Sequence, residues 1–461
     1  MSFHLAKSID ITPNGVLRPG SLQDYRVLRR QPWFGPLLGA STHLRLWVDW
    51  PTLQPSPAFE VGDPDSPNHL NLLGLDEQIR LANADGLKVI LMPYRYPRWV
   101  NGTADLTAAQ NPLFEPWDRV RESTYFAWYD KRFRVPPPAA PTMKALEYRL
   151  PADGHAPDSA WGRYVAMAFD RWVAGADVHG RADYVEVCNE PNLQLWPQRG
   201  PVTAASDLHG RFAVDGSEMT IQRPVAEMMA TVEHYRRLHG ADIVCLAPSV
   251  ADSSTNPPRY LSIAVDTPYG ATADPFVPRL LAELDRSGFE PGPNWIFSYH
   301  NYGDQERATD RVQYLRRLLD AGGWSGLHRD GGPALAATEG GVRLATMRSI
   351  YKPLLGREPT PHELAVLQSA HVDRAFHLHR RGTGDGAGVV LFTQYTVTAD
   401  PNFDCALRDV FGGARPAFDT WCSLQPFDPH DALPRQWRPQ DDDFTPLPGG
   451  DGRIEPMPAL T

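Results

Sequence analysis

Asp183-Tyr-Val-Glu-Val-Cys-Asn-Glu-Pro-Asn192 is the stretch from which the fold can be read. Its β-favouring run, Tyr184, Val185 and Val187, stops at the polar pair Asn189-Glu190, and Pro191 has no N–H with which to continue strand pairing. A buried strand that ends in a carboxylate with an amide beside it presents an acid at the rim of a sheet. Taken alone, an Asn-Glu-Pro triplet is equally a surface turn that closes a strand, so the surrounding sequence has to decide.

Working outward, short apolar runs of the same kind recur at Leu44–Val48, Lys88–Met92, Ile243–Ala247, Trp295–Tyr299, Ala334–Thr338 and Val389–Thr393. Most are continuous rather than alternating, as strands buried on both faces must be. Helical patterns lie between them at Leu75–Ala84, Ala160–Ala174, Pro224–Leu238, Pro278–Ser287, Asp310–Ala321 and His362–His379. Asp158-Ser159 and Thr360-Pro-His-Glu363 supply helix starts, the latter with capping-box spacing and proline at the first helical position. Alternating strand–helix units predict an α/β fold with a parallel sheet, and eight units close a (β/α)8 TIM barrel whose working face is the carboxyl end of its strands. Ile9–Thr12 and Phe34–Leu38 are both candidates for the first strand. A doubly wound open sheet is the alternative, but no glycine-rich phosphate turn follows any strand.

The chain of 461 residues is expected to form one catalytic domain over residues 1–424, with a Pro- and Asp-rich tail at 425–461. The barrel pattern is interrupted after the third strand by a long insertion, about 94–157, crowded with Trp99, Trp117, Tyr125, Phe126, Trp128, Tyr129 and Phe133. It is either a roof over the pocket or a packed subdomain of its own. A net charge of −10 argues against nucleic acid or an anionic membrane as partner, and no apolar run approaches spanning length. Met1-Ser-Phe-His-Leu-Ala-Lys7 has no basic stretch followed by an apolar one, which points to the cytoplasm; a mature secreted form would read the same. The four cysteines have no metal-ligand spacing, and Cys188 and Cys245 read as small core residues.

A second apolar strand runs into a carboxylate at Ala334-Leu-Ala-Ala-Thr-Glu-Gly-Gly341, where two glycines let the backbone turn tightly and a substrate approach closely. If Glu190 ends the fourth strand, two further strand candidates place Glu339 at the end of the seventh. Strands four and seven face each other across a barrel mouth, so the two acids converge. Paired carboxylates flanking one bond are what glycoside hydrolysis requires: one proton donor and one nucleophile or base, held at different pKa values.

These features resemble glycoside hydrolase clan A, the retaining (β/α)8 glycosidases, most nearly families 5 and 39. The resemblance covers roughly residues 40–400. Leu44-Arg-Leu-Trp-Val-Asp-Trp-Pro-Thr-Leu-Gln-Pro55 is similar to the clan's second strand, and Gly86-Leu-Lys-Val-Ile-Leu91 with Tyr96-Pro-Arg-Trp99 to its third. Trp161-Gly-Arg-Tyr-Val165 resembles the helix before strand four, Val187-Cys-Asn-Glu-Pro-Asn-Leu193 the acid/base motif, and Trp295–Tyr302 strand six with its His-x-Tyr.

The resemblance implies Glu190 as acid/base and Glu339 as nucleophile, with no metal and no organic cofactor. It implies that Asn189 hydrogen-bonds the sugar 2-hydroxyl, that Arg45 sits beside Glu339 and holds it ionised, that Tyr302 donates to Glu339, and that His300 lines the same wall. Trp196, just past the acid motif, either stacks on a sugar or packs on the surface. Strand eight ends Leu391-Phe-Thr-Gln-Tyr395, offering Gln394 and Tyr395 where many clan members carry tryptophan. The family 39 accessory β-domain has no place in this chain. Glu186 is expected to point into the barrel or toward a helix, and His377-Leu-His379, on a helix, to diverge rather than share a metal. The activity so implied is retaining hydrolysis of a β-linked glycoside. A transglycosylase on the same scaffold and a non-catalytic carbohydrate-binding barrel are the alternatives; sugar identity, linkage and oligomeric state are not encoded in any of these motifs.

Overall fold

Strand pairing turns the seven apolar runs into seven of eight parallel strands, with the eighth supplied by the amino-terminal segment. The computed structural model describes residues 5–11, 24–54, 56–58, 63, 65, 69–97, 99–100, 155–191, 211–214, 217–220, 222–251, 276–307, 312–329, 332–385, 388–399, 404–409 and 411–424. Among these, β1 (Ala6–Ile11), β2 (His43–Asp49), β3 (Lys88–Arg95), β4 (Tyr184–Glu186), β5 (Val244–Leu246), β6 (Trp295–His300), β7 (Leu335–Glu339) and β8 (Val389–Gln394) form a closed barrel in chain order. Asp10 pairs with Arg45 and Arg45 with Ile90, and β8 closes on β1 through Ile9 and Gln394. Every residue of β1, β6, β7 and β8 is buried, one face against helices and the other in the barrel.

Side-chain alternation sorts the strands into two environments. In β2, Leu44, Leu46 and Val48 join the core between barrel and helices, while Arg45 and Trp47 point inward. The helices offer matching apolar stripes: α1 (His69–Ala84), α2 (Ala160–Phe169), α3 (Gln222–Leu238), α4 (Phe276–Ser287), α5 (Val312–Ala321), α6 (Leu344–Leu355), α7 (Pro361–Asp385) and α8 (Pro416–Ser423). In α4, Phe276, Val277, Leu280, Leu281 and Leu284 are buried at helical spacing. Each such side chain contributes about 1.5–3 kcal/mol by leaving water, and Leu280→Ala would cost roughly 2–5 kcal/mol.

The barrel interior changes character along its axis. Ala6, Ile90, Leu246, Ile296, Ala334, Ala336, Val390 and Leu391 plug the amino end. Trp47, Met92, Tyr94, Tyr302, Tyr395 and Cys405 gather at the carboxyl end. Charged residues lie between the apolar floor and this aromatic mouth, which places a polar site where the βα loops converge.

Several local readings need refinement. The first strand begins at Ala6, and Phe34–Leu38, the other candidate, lies in a short helix, Phe34–Gly39. The helix expected over Ala160–Ala174 changes at Asp170 to one wider turn, in which Gly175 N–H donates to Asp170 O at 2.8 Å. Both expected caps form: Ser159 Oγ accepts from Gly162 N–H, and Thr360 and Glu363 exchange the two bonds of a capping box. The two His of the His-x-His pair do diverge, His379 buried against Asn301 and His377 beside Asp373. Most of the insertion expected at about 94–157, Trp196 and the whole 425–461 tail lie outside the described residues. No helix among the described residues is long and apolar enough to cross a membrane.

Candidate active site

Arg45 organises the mouth. An arginine carries five N–H donors in a fixed fork, and here all five are used. Nε and Nη2 donate to the two oxygens of Glu186, both at 2.9 Å, and Nη2 donates also to Asn189 Oδ1 at 3.2 Å. Nη1 donates to Asp10 Oδ2 at 2.7 Å and to Glu339 Oε2 at 2.9 Å. Trp47 Nε1 donates to the same Asp10 oxygen at 3.0 Å. Three strands, β1, β4 and β7, thus send carboxylates to one guanidinium carried by a fourth, β2.

Glu339 reaches this cluster through a departure from strand alternation. Ala334 and Ala336 face the interior plug while Leu335 and Ala337 face the helices. Strict alternation would therefore send Glu339 outward with Leu335 and Ala337. The pairing of β7 with β6 shifts register between Ala337 and Glu339, and that irregularity re-aims the carboxylate into the mouth. Tyr302, on the short helix after β6, donates its hydroxyl to Glu339 Oε1 at 2.7 Å. Gly340 and Gly341 serve close packing: a Cβ on Gly340 would lie 1.7 Å from Asn301 Oδ1, and one on Gly341 2.7 Å from Tyr395 O.

Glu190 is placed by its backbone. Its φ is 43°, the only positive value on a described non-glycine residue, while its N–H donates to Ser249 O at 2.8 Å. A left-handed glutamate is strained, and residues held this way cluster at working sites. The conformation turns the side chain across the mouth to His300, whose Nδ1 is hydrogen-bonded to Glu190 Oε1 at 2.6 Å. The other ring nitrogen, Nε2, lies 3.7 Å from Glu339 Oε2. One oxygen of each glutamate and one nitrogen of His300 all fall within 4.8 Å of one another.

Exposure separates these residues by role. The side chains of Arg45, Asp10, Glu186 and His300 are 0% exposed, whereas Glu190 and Glu339 retain 12% and 8%. Within the charged cluster, only those two carboxylates open onto the mouth. Burial pushes the Glu339 carboxyl up to about 7, although His300 and Arg45 pull it down; Glu190 and Asp10 reinforce the rise. Arg45 does sit beside Glu339 and lowers it, but the expectation that it would hold the group ionised is not met, because burial outweighs its pull. Burial would lower His300, but Glu339 and Glu190 raise it above the ordinary histidine value. Burial and the adjacent Glu339 charge raise Tyr302 well above a normal phenol, which keeps it a donor.

Of the residues singled out by sequence, Glu190, Glu339, Asn189, Arg45, His300 and Tyr302 come together. Gln394 is fully buried and donates to the carbonyls of Tyr395 (2.9 Å) and Cys405 (2.8 Å), so it braces the segment after β8. Glu186 points inward, onto Arg45. Asp10 was not singled out; its partner is 35 residues away, and no local pattern marks it. At the rim, Arg95 and Asp49 pair at 2.6 Å, with the guanidinium 5.3 Å from the centre of the Tyr94 ring. Among the described residues, Glu190, His300 and Glu339 are the one grouping with a donor set suited to a cation. A cation drawing on His300 Nδ1 would first have to break the 2.6 Å bond to Glu190.

No protein-family model and no curated protein matches the sequence. The fold is similar to that of several solved structures. One is a GH5_18 variant from Bifidobacterium longum subsp. longum in complex with Manβ1-4GlcNAc (12% identity, 92% of this chain and 80% of that one, TM-score 0.46). Another is xylanase B from Clostridium stercorarium (13%, 91% and 97%, TM-score 0.45). A third is an endo-β-1,4-glucanase from Xanthomonas axonopodis pv. citri (13%, 90% and 98%, TM-score 0.43). At TM-scores below 0.5 these likenesses carry no weight for the activity, which has to be read from the side chains.

Proposed function

We propose that this protein is a retaining β-glycoside hydrolase in which Glu190 is the acid/base and Glu339 the nucleophile. The observation that carries the reading is the pair itself. Two carboxylates from opposite sides of the barrel, alone in their charged cluster in facing the mouth, hold oxygens within 4.8 Å of each other. Retaining enzymes keep their acids about 5–5.5 Å apart, whereas inverting ones leave about 6.5–9.5 Å for a water.

The chemistry follows from the surroundings. Glu339 attacks the anomeric carbon as the carboxylate held by Arg45 and Tyr302, while Glu190 gives its proton to the leaving oxygen. The resulting glycosyl ester removes the negative charge of Glu339. Glu190, now ionised, takes a proton from water, which attacks the ester and releases the sugar with its configuration retained. His300 holds Glu190 in place through both steps. Asn189, fixed by Arg45, is the group proposed to meet a sugar hydroxyl.

The test is a panel of aryl β-glycosides (glucoside, xyloside, galactoside, mannoside, arabinoside), with the first-formed anomer followed by proton NMR. Initial release of the β-anomer is the expected result. Initial release of the α-anomer would replace the double displacement by inversion, and turnover that survives loss of both glutamates would remove the reading altogether.

A further inference from the structure

Arg45 is one buried cation shared among three carboxylates, and the sharing is unequal. Glu186 takes its bidentate edge, Asp10 the shorter of the two Nη1 bonds and Glu339 the longer. Asp10 and Glu186 are fully buried, so no solvent screens their charge from the cluster. An exclusive Arg–Glu pair lowers a carboxylate pKa by about 1–3. Here the same cation is already engaged by two acids that never reach the mouth.

We propose that Asp10 and Glu186 are positioning residues for Glu339, which draw the Arg45 charge toward themselves and so set the pH at which Glu339 ionises. The other groups facing Glu339 are too few to reverse this. His300, from β6, pulls the Glu339 carboxyl down from 3.7 Å away, but its Nδ1 is committed to Glu190. Tyr302 contributes a neutral donor. Cys405, after β8, is buried with its thiol pushed well up by that burial, and so stays neutral. Arg343, after β7, is paired with Glu306 at 2.7 Å. The elevated Glu339 carboxyl agrees with this charge count, which stands on the hydrogen bonds alone.

The test is a direct titration of the substrate-free protein labelled with δ-carboxyl carbon-13 glutamate, the Glu339 signal being assigned by its loss in Glu339→Gln. Asp10→Asn and Glu186→Gln keep an acceptor oxygen for Arg45 but remove the charge. Each should move the Glu339 midpoint down by about one pH unit or more. Circular dichroism reports whether each variant folds. A residue that only supported the fold would change the melting temperature and leave the midpoint alone. An unmoved or rising midpoint in a folded variant overturns the proposal. So does a wild-type midpoint below about 4, which an exclusive Arg45 pair would give; that measurement needs no variant. The kinetic consequence rests on the function proposed above: the acid limb of kcat/KM should follow the NMR midpoint downward. A midpoint that moves while the limb stays still supports the charge sharing and removes Glu339 from the nucleophile role.

Discussion

His300 and Glu190 share a 2.6 Å hydrogen bond between imidazole Nδ1 and carboxylate Oε1, with the imidazole fully buried. The strained backbone of Glu190 gives its side chain a direction, and this bond fixes the end of it. His300→Phe removes the bond and keeps an aromatic ring. A general acid contributes about 10²–10⁴-fold, so a freed Glu190 should lose roughly 10-fold or more in kcat/KM on substrates with poor leaving groups. Substrates with activated leaving groups should lose much less. Equal losses on both would mean that His300 acts on binding and not on proton transfer.

Glu190→Ala extends the same logic to the acid itself. Protonation matters most where the leaving group is a poor one, so hydrolysis of unactivated glycosides should nearly vanish, while the first step survives for dinitrophenyl glycosides. With no base left to activate water, the glycosyl–enzyme should accumulate. Intact-protein mass spectrometry should then find one sugar added, and peptide mapping should place it on Glu339. First-step losses that are independent of leaving group would make Glu190 a structural or substrate-binding carboxylate.

Glu339→Ala leaves a cavity beside Arg45 and Tyr302, whose donors otherwise serve the lost carboxylate. A small anion can occupy that space. Turnover should vanish, and azide should restore part of it on an activated β-glycoside, giving the α-glycosyl azide. A β-azide product would show that another group still forms the covalent bond.

How much of this was legible in the sequence depends on whether the partners were local. Strands ending in Asn189-Glu190 and Glu339 could be read because an apolar run and its polar terminus are contiguous. The start of β1 could not, because Lys7, Ser8 and Asp10 interrupt its apolar character and find their partners only in three dimensions. Lys7 donates to the carbonyls of Trp421 and Leu424 and lies 4.6 Å from the Trp421 ring centre, while Asp10 meets Arg45 across a strand pair. The register shift that turns Glu339 inward leaves no mark in a one-letter code. Phe34–Leu38 was strand-like in composition, yet five residues with Gly35 and Pro36 among them carry too little periodicity to separate a strand from a helical turn.

The position of Glu339 also predicts how stability depends on pH. Its carboxyl is pushed by burial from the ordinary 4.5 to about 7 in the folded protein. A group whose folded value lies above its unfolded one stabilises the fold while it holds its proton. That contribution is complete below about 4.5 and is lost as pH rises through about 7. Glutamine at this position keeps the size and one of the two acceptor oxygens but cannot ionise, so Glu339→Gln escapes the loss. Near about pH 5 the variant and the wild type should melt close together. Near about pH 8 the variant should be the more stable by up to about 3 kcal/mol, because a tenfold difference in proton affinity between folded and unfolded chains corresponds to about 1.4 kcal/mol. Thermal unfolding of both proteins at the two pH values gives the difference directly. A gap that stays constant, or that favours the wild type more at the higher pH, would mean that Arg45 and Tyr302 compensate the buried charge in full, and that Glu339 is ionised well below neutrality.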